Sequence, residues 1–329
     1  MYRVINNVGI ESIISIVPKK KVKLDKNSSN EQLLRVSRVI GVEESYKSEN
    51  TTTVELFEQA AKVIIKKNSI NKKNIKFLIC VTQTPDHLMP SCANIIHQKL
   101  KLKEECVAFD INLGCSGYVY GLYVIMSLIN NSNKNSKGLL LVGDTISKTV
   151  NKNDESNSLL FGDAVGATLI ENKKNKKNFF ILGSGSQGFD KLMLKNSGFN
   201  KKKVLMKPEF FMDGKEVFSF AINKVPKLIN EIIRRSKIKN INYYILHQAN
   251  KMMLNKILDM SKVKENKRLF SIKNFGNTSS ASIPVTISKN LNNKKDKKMS
   301  LLAGFGAGFS YAACITDFTK TKILKIIKK

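Results

Sequence analysis

The chain has 329 residues, 42% of them hydrophobic and 25% charged, which suits a soluble globular protein with a large core and room for two domains. No apolar run approaches the roughly 18 residues needed to cross a bilayer, and polar residues stand where a signal peptide would carry its apolar core, in Met1-Tyr-Arg-Val-Ile-Asn-Asn-Val-Gly9. The net charge of +30 would suit nucleic acid or an anionic membrane, but only six of the 56 basic residues are arginine, and no nucleic-acid motif accompanies them.

Lysine, asparagine and isoleucine are all abundant, which points to coding bias. The lysines cluster at 173–177, 201–203 and 294–298, runs that read as solvated loops. Neither nucleic-acid binding nor membrane insertion is expected.

In chain order, helical periodicity covers Val54–Lys66, and an apolar strand follows over Ile75–Thr82. A loop with His87 leads to a helix over Ala93–Leu100, which carries His97. Val107–Ile111 reads as a short buried strand. The turn Asn112-Leu-Gly-Cys-Ser-Gly-Tyr118 then runs into a helix to Ile129, with Val119, Leu122, Tyr123 and Met126 on one face. A Gly-rich strand, Phe161–Ile170, precedes the polar stretch Glu171–Asn178. Helices over Val217–Ser236 and Met252–Met260 flank a strand that ends at His247. Finally, the Gly/Asn/Ser turn Lys273–Pro284 enters a helix, and Gly304–Ile315 is a second Gly-rich strand.

This alternation predicts an α/β protein with helices covering mixed sheets. The strands ending at Thr82 and Gln248 echo one another, as do the two Gly-rich strands, so a duplicated architecture is expected. The natural division lies in the polar stretch, giving halves of residues 1–172 and 173–329.

Cys115 sits where a strand turns into a helix. Backbone N–H groups there favour a lowered pKa and a reactive sulfur; the alternative is a small buried cysteine. The five cysteines (80, 92, 106, 115 and 314) are odd in number and lack CxxC spacing, which argues against zinc or a disulfide framework and for a reducing cytoplasm. His247 at a strand end could be structural or catalytic, and Asn277 after Gly276 could be a turn residue. No metal or cofactor is expected. The Gly304–Gly308 run lacks the following helix and acidic residue of a dinucleotide fingerprint.

Together these segments resemble the β-ketoacyl-acyl-carrier-protein synthase III family of the thiolase superfamily, over nearly the whole chain. Cys115 matches the family's nucleophile, His247 in His-Gln-Ala-Asn250 its histidine, and Asn277 in Gly-Asn-Thr-Ser its asparagine. Thr82–Pro90, Leu160–Gly166, Met212–Phe218 and Gly304–Phe309 match in order. The resemblance implies a five-layer αβαβα sandwich of two similar halves, a homodimer, and a site in the cleft between the halves. It also implies acyl transfer from a thioester to Cys115, then decarboxylation of malonyl-acyl-carrier protein to an enolate that attacks the acyl-cysteine. His247 Nε2 and Asn277 Nδ2 would donate to the enolate oxygen. The backbone N–H groups of Cys115 and Ala307 would form a second oxyanion hole. Substrate contacts are implied at Met89, Gly214, Phe218, Ala249, Asn250 and Phe305, and carrier-protein contacts at Lys251 and Lys256. Met89 would reach into the partner's acyl pocket; ordinary core packing is the alternative. The expected partners are an acyl thioester, on carrier protein or CoA, and acyl carrier protein, whose acidic surface suits this basic chain.

The chain also departs from the family. It has no tryptophan, and Arg35 falls where members stack the CoA adenine on one. Val39 falls at a CoA-contacting arginine and Met252 at a carrier-binding arginine. Leu113-Gly114 replaces an alanine pair. These departures point to a specialised member. A same-fold acyltransferase acting on an oxygen or nitrogen acceptor without decarboxylation is the main alternative, and a non-enzymatic binding protein a minor one.

Overall fold

The computed structural model of the protein describes residues 1–25, 31–151, 154–198, 208–292, 294 and 298–329. The lysine cluster at 201–203 and most of that at 294–298 lie outside them. Strands are β1 (Tyr2–Val17), β2 (Lys21–Lys23), β3 (Glu44–Tyr46), β4 (Ile75–Val81), β5 (Val107–Ile111), β6 (Lys137–Asp144), β7 (Ala164–Ser184), β8 (Leu192–Lys195), β9 (Glu209–Met212), β10 (Tyr243–Leu246), β11 (Met299–Gly306), β12 (Ser310–Asp317), β13 (Lys322–Ile323) and β14 (Ile327–Lys328). Helices are α1 (Glu31–Ile40), α2 (Thr53–Lys67), α3 (Cys92–Leu100), α4 (Gly117–Asn130), α5 (Glu155–Leu160), α6 (Gly214–Ser236), α7 (Lys251–Met260), α8 (Ile272–Phe275) and α9 (Ser282–Leu291).

Local chemistry sets several of the boundaries. Thr52 and Glu55 form a reciprocal capping box at the start of α2, and Asp213 accepts the Glu216 N–H at the start of α6.

Two long antiparallel strands, β1 and β7, form the spine. Residues 164–171 of β7 pair with β6, which continues through parallel β4 to β5. Residues 179–184 of β7 pair with β12, which continues through β11 to β10. β1 follows β7 through both regions, Tyr2 opposite Ile181 and Ile16 opposite Val165. The polar stretch 171–178 was expected to separate the halves. It lies inside β7, where the strand passes from one sheet region to the other. Its ends, 171–172 and 177–178, pair with β1, while Lys173 and Lys176 form ion pairs with Glu11 and Asp317.

The layers follow from which side chains share a core. α2 and α3 cover the outer face of the β4–β6 region through Phe57, Ile64, Leu78 and Leu141. α6 and α7 cover the outer face of the β10–β12 region through Ile229, Leu254, Leu301 and Ala313. Between the sheets lie α4 and α9, where Tyr118, Leu122 and Ile287 meet Val81, Leu140, Ile245 and Leu302. This is the αβαβα order, and it puts the apolar stripe of α4 at the centre of the molecule.

β5 corrects one expectation. It is not buried: it pairs only with β4 at the edge of the sheet, and Val107 at its start is 50% exposed. Apolar composition alone did not distinguish an edge strand from a central one.

Candidate active site

Cys115 follows β5 in the turn that starts α4. The turn is closed by the Gly117 N–H donating to the Gly114 carbonyl at 2.7 Å. Ser116 is the N-cap residue of α4, yet its hydroxyl makes no cap bond. It pairs instead with the Ser310 hydroxyl at 2.7 Å, and Ser310 donates to the Ala307 carbonyl at 2.9 Å. These hydroxyls tie the start of α4 to the turn 307–309. That turn comes close to the sulfur: a Cβ on Gly306 would stand 2.9 Å from Cys115 Sγ. One on Gly114 would stand 2.3 Å from Gln83 Oε1, so the glycine in place of an alanine gives Gln83 its room.

His247 follows β10. Its backbone N–H donates to the Ala303 carbonyl at 2.8 Å, and its ring meets Phe305 edge to face at 5.6 Å. The ring is 2% exposed, and Nδ1 has no hydrogen-bond partner among the described residues. Burial pushes the His247 pKa down to about 3, opposed in part by a hydrogen bond with the Ser279 backbone. The imidazole is neutral.

Asn277 is fixed on both sides. Its N–H donates to the Leu160 carbonyl at 2.8 Å, and its carbonyl accepts from Gly162 at 3.0 Å. Its Oδ1 accepts the Ser279 N–H at 3.0 Å, which leaves the Nδ2 donors facing away from that contact. Gln248, fully buried beside His247, accepts from the Ser271 and Ile272 N–H groups at 2.8 and 3.1 Å. It thereby locks α8, and the chain leading to Asn277, onto the histidine strand.

Ser279 is the meeting point. Its N–H donates to Asn277 Oδ1 at 3.0 Å, its backbone holds the His247 pKa up against burial, and its hydroxyl favours the Cys115 thiolate. It is a non-glycine residue at φ +48°, a left-handed conformation that packing must impose. Sequence reasoning quoted Ser279 without a role and overlooked Gln248 and Asp144. Ser279 lies two residues after Asn277, but nothing local signals its long-range bonds.

The electrostatics correct another expectation. The Cys115 thiol is not lowered but pushed up to about 12. Desolvation of the half-buried Cys115 side chain is the main cause and the Asp144 carboxylate the second; the thiol's own backbone N–H and the Ser279 hydroxyl oppose them. The helix start is present, but desolvation outweighs it.

The other expected contacts are scattered. Phe305 touches the site through His247. Asn250 is the N-cap of α7, accepting the Met253 N–H at 2.7 Å, beside partly exposed Ala249. Gly214 and Phe218 lie in the first turns of α6; Gly214 is exposed and Phe218 partly buried. Lys251 and Lys256 are exposed on α7. Lys251 also lines a cavity of about 620 Å³ with Arg38, Lys273 and Lys289, and Cys115 is not among its lining residues. Arg35 is exposed on α1. Met89 is 75% exposed, so it does not fill the core of its own protomer.

Known proteins share this arrangement of elements and the motifs that build it. The family model for 3-oxoacyl-[acyl-carrier-protein (ACP)] synthase III matches residues 109–188, and the model for the C-terminal part of the same enzymes matches 234–318. A putative 3-oxoacyl-[acyl-carrier-protein] synthase 3 of Campylobacter jejuni is 35% identical, over 94% of this chain and 93% of its own. A β-ketoacyl-[acyl-carrier-protein] synthase III of Clostridium tetani is 34% identical, over 84% and 87%. The crystal structure of a 3-oxoacyl-(acyl-carrier protein) synthase from Burkholderia xenovorans superposes with a TM-score of 0.93 at 30% identity, covering 100% of this chain and 99% of that one. Likeness at this level, running through both sheets and through the segments that carry Cys115, His247 and Asn277, makes the chain a member of the 3-oxoacyl-acyl-carrier-protein synthase III family.

Proposed function

We propose that the protein is an acyltransferase of the condensing type, with Cys115 as nucleophile and His247 and Asn277 as hydrogen-bond donors to an enolate. The observation that carries this reading is the place of Ser279, whose N–H holds the Asn277 side chain and whose polar groups act on both Cys115 and His247. In the first stage Cys115 attacks the carbonyl of an acyl thioester. The carbonyl's bond to the donor sulfur breaks, and the donor leaves as a thiol with the proton Cys115 gives up. In the second stage the malonyl group on acyl carrier protein loses CO₂, and the electron pair of the broken bond becomes an enolate. The enolate carbon attacks the acyl-cysteine carbonyl, a β-ketoacyl thioester forms, and Cys115 is released.

A neutral His247 suits this division of labour. It can donate one N–H to a developing oxyanion without competing for the malonyl carboxylate as an imidazolium. Each such donor contributes about 3–4 kcal/mol in other oxyanion holes. The backbone N–H groups of Cys115 and Ala307 serve the acyl carbonyl, held in register by the Ser116–Ser310 pair. The division at residues 172 and 173 places Cys115 in the first half and its two partners in the second.

The protein acts as a homodimer. β5 has a free edge among the described residues, and Leu88 and Met89 beside it are 69% and 75% exposed, which supports a partner on that side. Met89 then enters the partner's acyl pocket. Acyl carrier protein docks on the basic surface near Lys251 and Lys256. All five cysteines are free, which suits a reducing cytoplasm, and no described helix is long and apolar enough to cross a membrane.

The test has two half-reactions. Incubation with an acyl thioester adds one acyl group to the Cys115 peptide, and Cys115→Ala abolishes it. His247→Ala and Asn277→Ala still self-acylate, but lose CO₂ release from malonyl-acyl-carrier protein by about 10²–10³-fold each. Acylation mapping to another cysteine, or full CO₂ release in both variants, refutes the assignment.

A further inference from the structure

Among the described residues, two carboxylates are fully buried, Asp144 and Asp163. Asp163 is taken up by Ser48 and Ser147. Asp144 ends β6, and its surroundings lead to the nucleophile. Its Oδ1 accepts the Gln83 N–H at 2.6 Å and the Thr82 and Thr84 hydroxyls at 2.9 and 3.4 Å. Its Oδ2 accepts the Ser280 hydroxyl at 3.0 Å and the Ser280 N–H at 3.4 Å. No lysine or arginine among the described residues forms an ion pair with it. Five neutral donors hold this charge in place, so it is not cancelled by a cation.

Both segments bound by Asp144 flank the residue before the nucleophile. A Cβ on Gly114 would meet Gln83 Oε1 at 2.3 Å and Ser279 Oγ at 3.3 Å. Gln83 belongs to the first segment, and Ser279 adjoins Ser280 in the second. We infer that Asp144 is a positioning residue that clamps the Gln83 loop and the Ser279 turn around Cys115, and whose charge sets the balance between thiol and thiolate in the unliganded protein. The inference rests on Cys115 being the nucleophile.

The groups facing the sulfur are few. They are its own backbone N–H, the Ser279 hydroxyl and Asp144, which is the charge that acts on it. An anion there opposes thiolate formation until a substrate takes up the site. It also protects the cysteine from adventitious electrophiles, because the thiolate is the reactive form.

The experiment is iodoacetamide alkylation of Cys115 between pH 6 and 10, followed on the Cys115 peptide by mass spectrometry, in wild type, Asp144→Asn, Asp144→Ser and Thr82→Val. Removing the charge moves the profile to lower pH by about one unit or more. At pH 7 each unit gives about tenfold more thiolate, tempered by its lower nucleophilicity to about threefold faster alkylation. Thr82→Val keeps the charge but removes a hydroxyl that neutralises it, so its profile moves to higher pH. A purely structural Asp144 would change the melting temperature and leave the profiles superimposed. Unshifted profiles in the folded Asp144 variants overturn the inference, as does a Thr82→Val profile that is unshifted or shifted to lower pH. Where neither Asp144 variant folds, the Thr82→Val profile decides alone. Alkylation needs no condensation, so a failure here is separable from a failure of acyl transfer to Cys115.

Discussion

Burial of His247 makes the stability of the protein depend on pH in a window where few other groups titrate. The ring titrates at about 3 in the folded protein against 6.5 in the open chain, so the unfolded state binds the proton first. Its contribution to stability is complete above pH 6.5 and is lost as pH falls towards 3. Over the whole window the difference amounts to roughly 5 kcal/mol, and between pH 7 and pH 5 to about 2 kcal/mol. His247→Gln keeps the length and polarity of the side chain and removes the titration. Urea unfolding of both proteins at half-unit steps from pH 7 to 5 isolates the effect, because the other two histidines and the carboxylates are common to both and cancel. The stability of wild type relative to the variant should fall by about 2 kcal/mol across that range. A constant difference would refute the reasoning: His247 would then be hydrated or paired with an acid, not held neutral by desolvation.

Three further outcomes are expected. Gly306→Ala places a Cβ 2.6 Å from Cys115 Cβ and 2.9 Å from Sγ. It should slow self-acylation by about 10²-fold through misplacement of the sulfur; a rate within a factor of about two of wild type would show that the turn gives way. Met89→Phe should shift donor preference towards shorter acyl chains and Met89→Ala towards longer ones, whereas unchanged profiles, or a monomer in solution, would remove its role across the interface. Acyl-carrier-protein donors should acylate Cys115 faster than matched acyl-CoA, with an advantage that shrinks as the Debye length falls from about 10 Å at 0.1 M salt to about 3 Å at 1 M; faster acylation from CoA at every salt concentration would overturn this.

Periodicity made α2, α3, α4, α6, α7 and α9 legible, and motif spacing singled out Cys115, His247 and Asn277. α4 begins one residue before the helical run read from the sequence, α2 extends one residue further at each end, and α7 begins one residue earlier. What escaped has a common cause. The thiol pKa depends on Asp144, 29 residues beyond Cys115, and on burial beneath a turn from the other end of the chain. The polar stretch 171–178 looked like a connector because its lysines are those of a loop; only the pairing of its ends with β1 makes it part of a strand. The N-cap role of Asn250 was missed, although Asn before a helix start is a local signal for it. Ser279 and Gln248 act through bonds to segments whose approach no local pattern encodes.

The spine strands have a mechanical consequence. β1 and β7 each run from one sheet region into the other and pair on both sides of an irregular crossing, where Asn7 and Asn175 adopt positive φ and residues 173–176 lie outside the ladder with β1. Swinging one half away would strain the pairs on both sides of that crossing, Asn6 with Lys177 and Val8 with Asn172. Substrate admission therefore falls to the rim, to rotamers and short loops such as those around Phe189 and Phe309, while the reacting groups stay fixed on a rigid frame.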